Sequence, residues 1–311
     1  MHDVIIIGGG YAGMSCAISL KSKGVNVLLM ERNSLLGGIL NQNMQYGFFN
    51  GKNSFSGPIY AKSLVKQLNG LNIHNKLNTE VMEVTADNIK CVKILNTDGV
   101  HVLNAKFVIF ANGQREVGRG ALNIAGTRPS GIFTVGCASN LINVESEIIG
   151  KKIVLAMNNC SIVPQIKNKG YEFICVVEDS SLNYSTKENL SNIKAVFIRH
   201  KLISIEGKER LKSVIIQKLD DKGFVIPDTE NRIYCDTLLI TGLNLPEVEL
   251  LKDMGININV KTKGPTVDNN MQTNIKGVYA CGDIVKPHNN INSILQEVDI
   301  IVSDIVSKLI H

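Results

Sequence analysis

One feature near the N-terminus restricts the fold more than any other: a glycine-rich turn that directly follows a short apolar run. The run at residues 3–7 leads into Gly8, Gly10 and Gly13, which have the spacing G-x-G-x-x-G. In a strand–turn–helix unit the first glycine permits the tight turn. The second lets a pyrophosphate approach the backbone, and the third lets the helix pack closely on the strand. The spacing therefore predicts a dinucleotide-binding turn.

The residues after the turn complete the same unit. Residues 14–23 have a helical pattern, and a second apolar run at 25–30 ends at Glu31, 18 residues after Gly13. The helix N-terminus offers free N–H groups and a positive dipole end to phosphates. A carboxylate at the end of the second strand can accept hydrogen bonds from a ribose diol. A glycine turn that binds nothing would not explain Glu31, so the combination favours dinucleotide binding.

The length and composition are those of an ordinary globular protein. The 311 residues allow two domains or one large one, and 44% are hydrophobic and 20% charged, enough for a sizeable core. The net charge is +5, but the Lys and Arg residues form no dense cluster in the sequence. Nucleic-acid or anionic-membrane binding therefore receives little support. No apolar run approaches the roughly 18–20 residues that cross a bilayer, and no signal peptide precedes the first strand. We expect a cytoplasmic protein.

The seven cysteines form no redox or metal motif. The chain has no C-x-x-C and no Cys/His spacing typical of zinc, so we predict no metal site. Most of the cysteines lie in apolar stretches, where a buried free thiol is expected. Cys137 has Asn140 where a C-x-x-C partner would stand, which removes the simplest dithiol chemistry.

Several stretches in the first half of the chain bear on a dinucleotide site. Residues 32–42 form a glycine-containing loop that can bring backbone N–H groups to a second phosphate, and residues 43–53 are predicted to be a loop. Alternating strands between residues 79 and 103 predict a β-meander. A separate buried strand at 106–111 is closed by Asn112-Gly113, a position that adjoins the crevice of a dinucleotide fold.

A second strand–turn–helix–strand pattern begins at residues 152–157 and ends at Glu178. Its turn carries Asn158, Asn159 and Cys160, whose side chains stand where a pyrophosphate requires bare backbone. We therefore predict a second Rossmann-type domain that has lost nicotinamide-dinucleotide binding, with Glu178 as a surface acid.

The C-terminal part supplies a further acidic motif. A short strand ends at Gly282-Asp283, where a carboxylate can reach a ribityl hydroxyl while glycine admits the cofactor. From Ile291 onward, apolar residues recur at helical spacing, and Asn292 or Ser293 is the predicted N-cap. A helix in this position would direct its positive dipole end at a bound flavin.

Three pieces together resemble the FAD-binding pattern of flavoproteins with two dinucleotide-binding domains: the glycine turn with Glu31, residues 110–113, and residues 273–283. That class includes thioredoxin reductases and pyridine nucleotide-disulfide oxidoreductases, and the resemblance covers essentially the whole chain. It implies an α/β fold of two Rossmann-like (three-layer ββα) domains. A discontinuous FAD domain, residues 1–115 and 246–311, would surround an inserted NAD(P)H-type domain, residues 116–245.

The resemblance also implies FAD as the cofactor, together with its contacts. The three glycines would hold the pyrophosphate, Glu31 the adenosine ribose, and Asp283 the ribityl chain, while the Val81 backbone would pair with adenine. The complete predicted set is Gly8, Gly10, Tyr11, Ala12, Gly13, Glu31, Arg32, Gly38, Ile39, Gln42, Val81, Ala111, Asn112, Gly113, Gly282 and Asp283.

Four segments, at 36–42, 55–61, 123–134 and 235–239, resemble a narrower group. It comprises FAD oxidoreductases associated with bacterial anaerobic glycerol-3-phosphate dehydrogenase-type proteins. Hydrogen cyanide synthase and opine oxidase subunits are related, and such proteins often form one subunit of a hetero-oligomer. That group usually continues Cys-Ile-His where this chain has residues 43–45, Asn-Met-Gln, so any role of that Cys and His is absent.

The leading hypothesis is an FAD-dependent oxidoreductase that accepts electrons at flavin N5 and exchanges them with a protein or small redox partner. In one alternative the protein oxidises NAD(P)H, and an atypical turn around Asn158 binds the nucleotide. Another is a non-catalytic FAD-binding subunit of a hetero-oligomeric dehydrogenase. A homo- or hetero-oligomer fits each hypothesis. No catalytic residue is identified: Asn43, Gln45 and Tyr46 are expected to line the flavin face, and of the histidines only His288 lies near the flavin-binding end.

Overall fold

The computed structural model describes residues 1–43, 46–50, 53–156, 170–178, 193–240, 244–288 and 290–310, with backbone alone at 46–50 and 53. The chain divides into two compact units. The first unit comprises Met1–Asn41, Tyr46–Arg115 and Leu245–His311, and the second comprises Gln42–Gln45 and Glu116–Asn244.

The N-terminal part of the first unit begins with a strand, the glycine turn and a helix. The elements in this part are β1 (His2–Ile7), α1 (Tyr11–Ser22), β2 (Val27–Met30), a 3-10 helix (Gly38–Gln42), β3 (Tyr46–Asn50), β4 (Asn53–Ser56), α2 (Gly57–Gly70), β5 (His74–Lys76), β6 (Glu80–Ala86), β7 (Lys90–Asn96), β8 (Gly99–Phe110) and β9 (Gln114–Glu116).

The second unit follows, and the chain then returns to the first. The second unit contains a 3-10 helix (Arg119–Leu122), β10 (Ala125–Gly126), β11 (Ile132–Thr134), α3 (Val135–Asn143), β12 (Lys152–Ala156), β13 (Glu172–Val177), β14 (Ile193–Ile198), β15 (His200–Gly207), β16 (Leu211–Lys218), β17 (Asn231–Tyr234) and β18 (Thr237–Ile240). The C-terminal part contains β19 (Asn244–Pro246), α4 (Glu249–Asp253), β20 (Val278–Ala280), a 3-10 helix (Gly282–Ile284) and α5 (Ile291–Ile310).

The sheet of the first unit joins both ends of the chain. Its order is β5-β2-β1-β8-β7-β6, and β20 also pairs with β8. The β1, β2, β5, β20 and β8 pairings are parallel, whereas β6, β7 and the first half of β8 form an antiparallel meander. Because β1 occupies one edge of β8, β20 pairs with the opposite edge, beyond the point where β7 ends.

The second unit repeats this plan. Its parallel sheet has the order β11-β18-β12-β13-β14, which corresponds to β20-β8-β1-β2-β5 in the first unit. An antiparallel meander, β15-β16-β17, accompanies it. A parallel sheet with crossover connections and an attached meander is the Rossmann-like plan, so the predicted pair of Rossmann-like domains is confirmed.

The core of the first unit explains why its strands are uniformly apolar. All four residues of β2 and the last four of β1 are buried, as parallel strands covered on both faces must be. On the described residues, α5 buries one stripe of Ile and Val side chains and belongs to the same core as α1 and β1.

Two local predictions were wrong. Residues 43–53 were predicted to be a loop, but β3 and β4 pair there as a hairpin, because Tyr and Phe favour extended backbone even among glycines. The strands predicted at 100–103 and 106–111 form one strand, β8. A strand that leaves a half-exposed meander and enters a covered sheet changes its burial pattern without a break.

The cap of α5 also differs from the prediction. Asn290 Oδ1 accepts a hydrogen bond from the Ser293 backbone N–H at 3.0 Å, which is the N-cap interaction. The cap is therefore Asn290, one turn before Ser293 and outside the predicted pair.

The described part of the chain has neither a membrane-spanning helix nor a metal-binding cluster. None of its helices combines the length and the apolar character needed to cross a bilayer. No group of three or more His, Cys, Asp or Glu side chains there is arranged to hold a metal ion.

Candidate functional site

The glycine turn is held by close backbone approaches. Gly8 has φ = 107°, and a Cβ placed on it would lie 2.5 Å from the Ala111 carbonyl oxygen. A Cβ on Gly13 would overlap the Gly8 carbonyl oxygen. These two glycines are therefore required by the packing of β1, β8 and α1, independently of any ligand.

Gly10 has a different environment. Its φ of −75° is ordinary, and a Cβ added to it would meet no protein atom within 4 Å. It precedes α1, whose N-terminus has no side-chain cap, so the first N–H groups of this helix are available to an anion. Gly38 lies close to Gly10, since a Cβ added to Gly38 would be 3.2 Å from the Gly10 Cα atom. Tyr11 and Ala12 form the first turn of α1.

Glu31 is buried at the end of β2 and holds the turn. Its Oε2 accepts the Gly9 N–H at 2.7 Å, and its Oε1 accepts the Asn33 N–H at 2.8 Å. Only 7% of the residue is exposed. The carboxylate is thus fixed by two backbone donors, and each oxygen retains a lone pair for a further donor.

Arg32 forms a bidentate ion pair with Glu247, at 2.9 and 2.8 Å. The hydrogen bonds to Glu247 raise the pKa of Arg32 above its ordinary value. Both residues belong to the first unit, so Arg32 links the end of β2 to the segment that re-enters this unit at Leu245. Its predicted contact with the cofactor stays a prediction.

The residues after β8 lie directly beside the glycine turn. The Ala111 N–H donates to the Ile7 carbonyl at 2.8 Å. The Asn112 amide nitrogen donates to the Glu247 carbonyl at 2.8 Å, while its Oδ1 is buried without a partner. A buried acceptor without a donor is costly, and Asn112 Oδ1 is therefore a feature that a bound ligand with a donor group would satisfy. Gly113 accepts the Glu247 N–H at 3.2 Å.

The C-terminal motif meets the first turn of α1. Gly282 has φ = 75°, and a Cβ on it would lie 2.8 Å from the Ala12 Cβ. The Cys281 N–H donates to the Phe110 carbonyl at 3.0 Å. The two ends of the chain therefore form one site, and Asp283 follows this contact with 38% of its side chain exposed.

The remaining predicted residues are more dispersed. Val81 lies buried in β6, whereas Ile39 is 68% exposed in the 3-10 helix that also contains Gly38. Gln42 falls in the second unit. The turn at 158–160 and Gln45 lie outside the described residues, and for Tyr46 only the backbone is described.

Sequence reasoning placed His288 near the flavin-binding end, but it missed the contacts of this residue and missed Glu297 altogether. His288 is buried, with 3% of its side chain exposed, and its ring nitrogens contact Asp283 and Glu297. Glu297 lies on α5 inside a stretch that reads as an apolar helix face. A Glu among Ile and Val residues at core positions was the signal that could have identified it.

The described site fits FAD. Uncapped helix N–H groups with open space at Gly10 suit a pyrophosphate, and the fixed Glu31 carboxylate suits a ribose diol. Asn112 Oδ1, after β8, and the partly exposed Asp283, after β20, add hydrogen-bond acceptors to the site. Gly282 permits the approach of this motif to α1.

The fold and this site define a flavoprotein with two Rossmann-like domains. The family model for pyridine nucleotide-disulphide oxidoreductases matches residues 2–157 and 160–298. The chain belongs to this family, and it is an FAD-dependent oxidoreductase with a thioredoxin reductase-like fold.

Individual relatives are distant but cover most of the chain. A 34.2 kDa protein in the rubredoxin operon of Clostridium pasteurianum is 26% identical over 91% of this chain and 88% of its own length. Ferredoxin–NADP reductase of Rickettsia typhi is 26% identical over 91% of this chain and 85% of its own length. Among solved structures, T. acidophilum thioredoxin reductase superimposes with a TM-score of 0.81 at 19% identity, over 100% of this chain and 99% of its own.

Proposed function

We propose that this protein exchanges electrons between its FAD and a protein or small redox partner, without a thioredoxin reductase-type dithiol. The observation that carries the proposal is the combination of a site in the first unit whose described residues fit FAD with a single cysteine at the dithiol position. Cys137 is exposed at the start of α3. Asn140, three residues later, donates instead to Glu145 at 2.8 Å.

The residue roles follow from the chemistry of the site. We assign residues 1–115 and 246–311 to the FAD domain and 116–245 to the NAD(P)H-type domain. Gly10 and the α1 N-terminus would bind the pyrophosphate, Glu31 the adenosine ribose and Asp283 the ribityl chain. The bound flavin supplies the redox chemistry, while the chain binds it, orients it and excludes water.

The names of the relatives support an electron-carrier partner. One relative belongs to a rubredoxin operon and another is a ferredoxin–NADP reductase. We therefore expect the partner to be a small iron–sulfur protein or, as in the narrower group that the sequence resembles, a dehydrogenase subunit in a hetero-oligomer. The proposed partners include neither a membrane nor a nucleic acid.

A nicotinamide dinucleotide is the second candidate donor. It is favoured by the names of three relatives, ferredoxin–NADP reductase, an NAD(P)H coenzyme A polysulfide/persulfide reductase and an NAD(P)H sulfur oxidoreductase. The turn at residues 158–160 lacks the glycines that admit a pyrophosphate, which is why we place this candidate second.

Anaerobic reduction separates these candidates. Mixing FAD-loaded protein with excess NADH or NADPH is expected to leave the oxidised flavin absorption unchanged for minutes, because no glycine turn is available for the second dinucleotide. Protein reduced with one equivalent of dithionite is expected to reoxidise rapidly when an excess of oxidised ferredoxin or rubredoxin is added, each carrier accepting one electron from the flavin. Reduction by NADPH within seconds would establish the second candidate instead. Reoxidation no faster than that of free reduced FAD would favour a non-catalytic subunit.

A buried pair of thiols among the described residues bears directly on this proposal. The Cys16 and Cys281 Sγ atoms are 3.6 Å apart and both residues are buried. The hydrogen bond with Cys16 and burial raise the pKa of Cys281 well above its ordinary value. The reactive species of a cysteine is the thiolate, so this pair is disfavoured as an exchange dithiol.

Thiol counting tests this point. In native FAD-loaded protein, a charged aromatic disulfide reagent is expected to react with Cys137, although burial raises the pKa of this thiol and slows the reaction. Cys137→Ser should lower the count of reacting thiols by one, and Cys16→Ser should leave it unchanged. A lower count in Cys16→Ser would show that the buried pair is accessible, and the proposal of dithiol-free electron exchange would fail.

A further inference from the structure

An open pocket of about 500 Å³ in the second unit has no role in the proposed function. The chain forms it between the 3-10 helix at Arg119–Leu122 and the start of β11. Two arginines, Arg119 and Arg128, and two partly exposed isoleucines, Ile124 and Ile132, belong to its lining. Small-molecule sites commonly have volumes of about 300–1,000 Å³, so this cavity, called the Arg119 pocket below, has the size of a ligand site.

The backbone of the Arg119 pocket is fixed by β15. The short strand β10 pairs with Ser204 and Ile205 of β15, and the Thr127 N–H donates to the Ile205 carbonyl at 2.9 Å. Gly126 has φ = 98°, and a Cβ placed on it would overlap the Ile205 carbonyl oxygen. The pocket is therefore held in shape by the fold, which reduces the entropy cost of binding a ligand there.

The Arg119 guanidinium is held by main-chain carbonyls. Its Nη1 donates to the Thr127 carbonyl at 2.5 Å, and its Nη2 lies 3.3–3.4 Å from the carbonyl oxygens of residues 124–126. The residue is only partly exposed. A guanidinium has five N–H donors, so the Nε donor and one Nη1 donor have no acceptor among the described residues. The carbonyls orient Arg119 without neutralising its charge.

Arg128 adds a second positive charge to the Arg119 pocket. Burial and the charge of Arg128 together lower the pKa of Arg119, so the two guanidinium groups are close enough to repel each other. Neither arginine forms an ion pair with a described residue. The described arginines that do form ion pairs are Arg32, Arg115, Arg199 and Arg232.

Two acids next to this part of the chain are already engaged. Glu116, just before the 3-10 helix, accepts the Gly136 N–H at 2.7 Å. Glu206, which follows Ile205 in β15, accepts from Ser213 Oγ at 2.6 Å and from Arg232 at 2.9 Å. Two guanidinium groups without a carboxylate partner favour an anion from outside the chain.

The chemistry of the lining favours a phosphate ester over a carboxylate. A phosphate monoester carries a charge of about −1.5 to −2 at pH 7 and three acceptor oxygens, whereas a carboxylate has one charge and two oxygens. Guanidinium groups bind phosphate oxygens through paired N–H donors. The apolar surface of Ile124 and Ile132 suits the organic part of such an ester.

We propose that the Arg119 pocket binds a small phosphate monoester, with the phosphate between Arg119 and Arg128. The organic group of the ester packs against Ile124 and Ile132. All of these residues belong to the second unit, so the proposal does not depend on the FAD assignment. A concave site with a partly buried guanidinium favours a small ligand over a docked acidic protein, which requires a broader surface.

The first test uses probes that differ in charge or in organic content. At about pH 8 phenyl phosphate is close to a dianion, whereas phenyl sulfate has nearly the same shape and a single charge. In calorimetric titration of the full-length FAD-loaded protein, phenyl phosphate is expected to bind at one site with a dissociation constant below about 1 mM. Phenyl sulfate should bind at least about tenfold more weakly, because one negative charge then faces two arginines.

Two results with these probes would overturn the proposal. The first is the absence of phenyl phosphate binding, or equal affinities for phenyl phosphate and phenyl sulfate. The second is an affinity for inorganic phosphate that equals the affinity for phenyl phosphate, since the isoleucines would then contact no organic group.

Arg128→Gln locates the binding site. The Arg128 side chain is exposed and has no hydrogen bond or ion pair with a described residue, so this variant should keep its thermal stability and its flavin absorption. Phenyl phosphate should bind to it at least about tenfold more weakly. Arg199→Gln is the matched control, because it removes an arginine of the second unit that is paired with Asp221, and it should bind as the wild type does. Wild-type affinity in Arg128→Gln, or an equal loss in Arg199→Gln, would reject the site.

Arg119→Lys tests the guanidinium group itself. Lysine keeps the charge but lacks the planar fork, so phenyl phosphate should again bind more weakly. Thermal unfolding verifies that this variant folds, and should it fail to fold, Arg128→Gln decides. Titration of the wild type and Arg128→Gln with oxidised ferredoxin tests a docked protein: if the substitution weakens ferredoxin binding and leaves phenyl phosphate binding intact, the pocket is a protein contact and the proposal is wrong.

Discussion

Gly10→Ala is expected to weaken FAD binding by at least about tenfold, a loss of about 1.4 kcal/mol, while the apo-protein keeps its stability. The reason is that the added Cβ meets no protein atom within 4 Å and the backbone φ of −75° suits alanine. The same methyl group would occupy the space in front of the α1 N-terminus, where the pyrophosphate is assigned. Equilibrium FAD titration and urea unfolding of the apo-protein measure the two effects separately.

Two other glycines provide controls for this result. Gly70→Ala, at the end of α2, also adds a Cβ into open space; it should leave FAD affinity unchanged and keep or slightly raise stability. Gly13→Ala should destabilise the apo-protein by about 1–3 kcal/mol or more, because its Cβ overlaps the Gly8 carbonyl oxygen. If Gly10→Ala binds FAD as the wild type does, the pyrophosphate does not lie at this turn.

Glu31→Ala is expected to reduce both stability and FAD affinity. The substitution removes the acceptors of the Gly9 and Asn33 N–H groups, and the buried Gly9 donor left without a partner costs about 1–3 kcal/mol. The FAD dissociation constant should rise by at least about tenfold, since the ribose contact is lost as well. Urea unfolding with and without FAD, together with FAD titration, measures both quantities.

Glu83→Ala is the control for Glu31→Ala. Glu83 is an exposed acid on β6 that pairs with Lys93 at 3.7 Å, with both side chains about half exposed, and such surface pairs contribute little. Glu83→Ala should therefore leave stability and FAD affinity unchanged. A Glu31→Ala protein with normal apo stability would show that the two backbone hydrogen bonds are unimportant. Normal FAD affinity would remove Glu31 from the ribose site.

The glycine turn could be predicted from sequence because its determinants are local. The approach of Gly13 to the Gly8 carbonyl lies within one strand–turn–helix unit, and Glu31 follows the next strand. The approach of Gly8 to Ala111 lies outside this unit. The sequence could not show that Glu31 would bind the backbone of Gly9, because this contact depends on how the turn closes onto β2. A residue expected to bind ligand also stabilises the turn.

The contacts of His288 with Asp283 and Glu297 were beyond sequence reasoning for a related physical reason. His288 lies in a connection and Glu297 in the second turn of α5, and no periodicity relates them. They meet only because the chain between β20 and α5 folds back over Asp283. The hairpin of β3 and β4 was missed for a different reason, because its glycines and polar residues outweighed the extended-backbone preference of its Tyr and Phe residues in the prediction.

The position of β8 between β1 and β20 has a consequence for biosynthesis. One edge of its second half pairs with residues near the N-terminus and the other with Val278–Ala280. At ribosomal rates of about 5–20 residues per second, the last partner follows on the order of ten seconds after β8. During that interval an apolar strand edge is open, which is a hazard for aggregation. The second unit can fold first, and nascent chains should acquire FAD only near the end of translation.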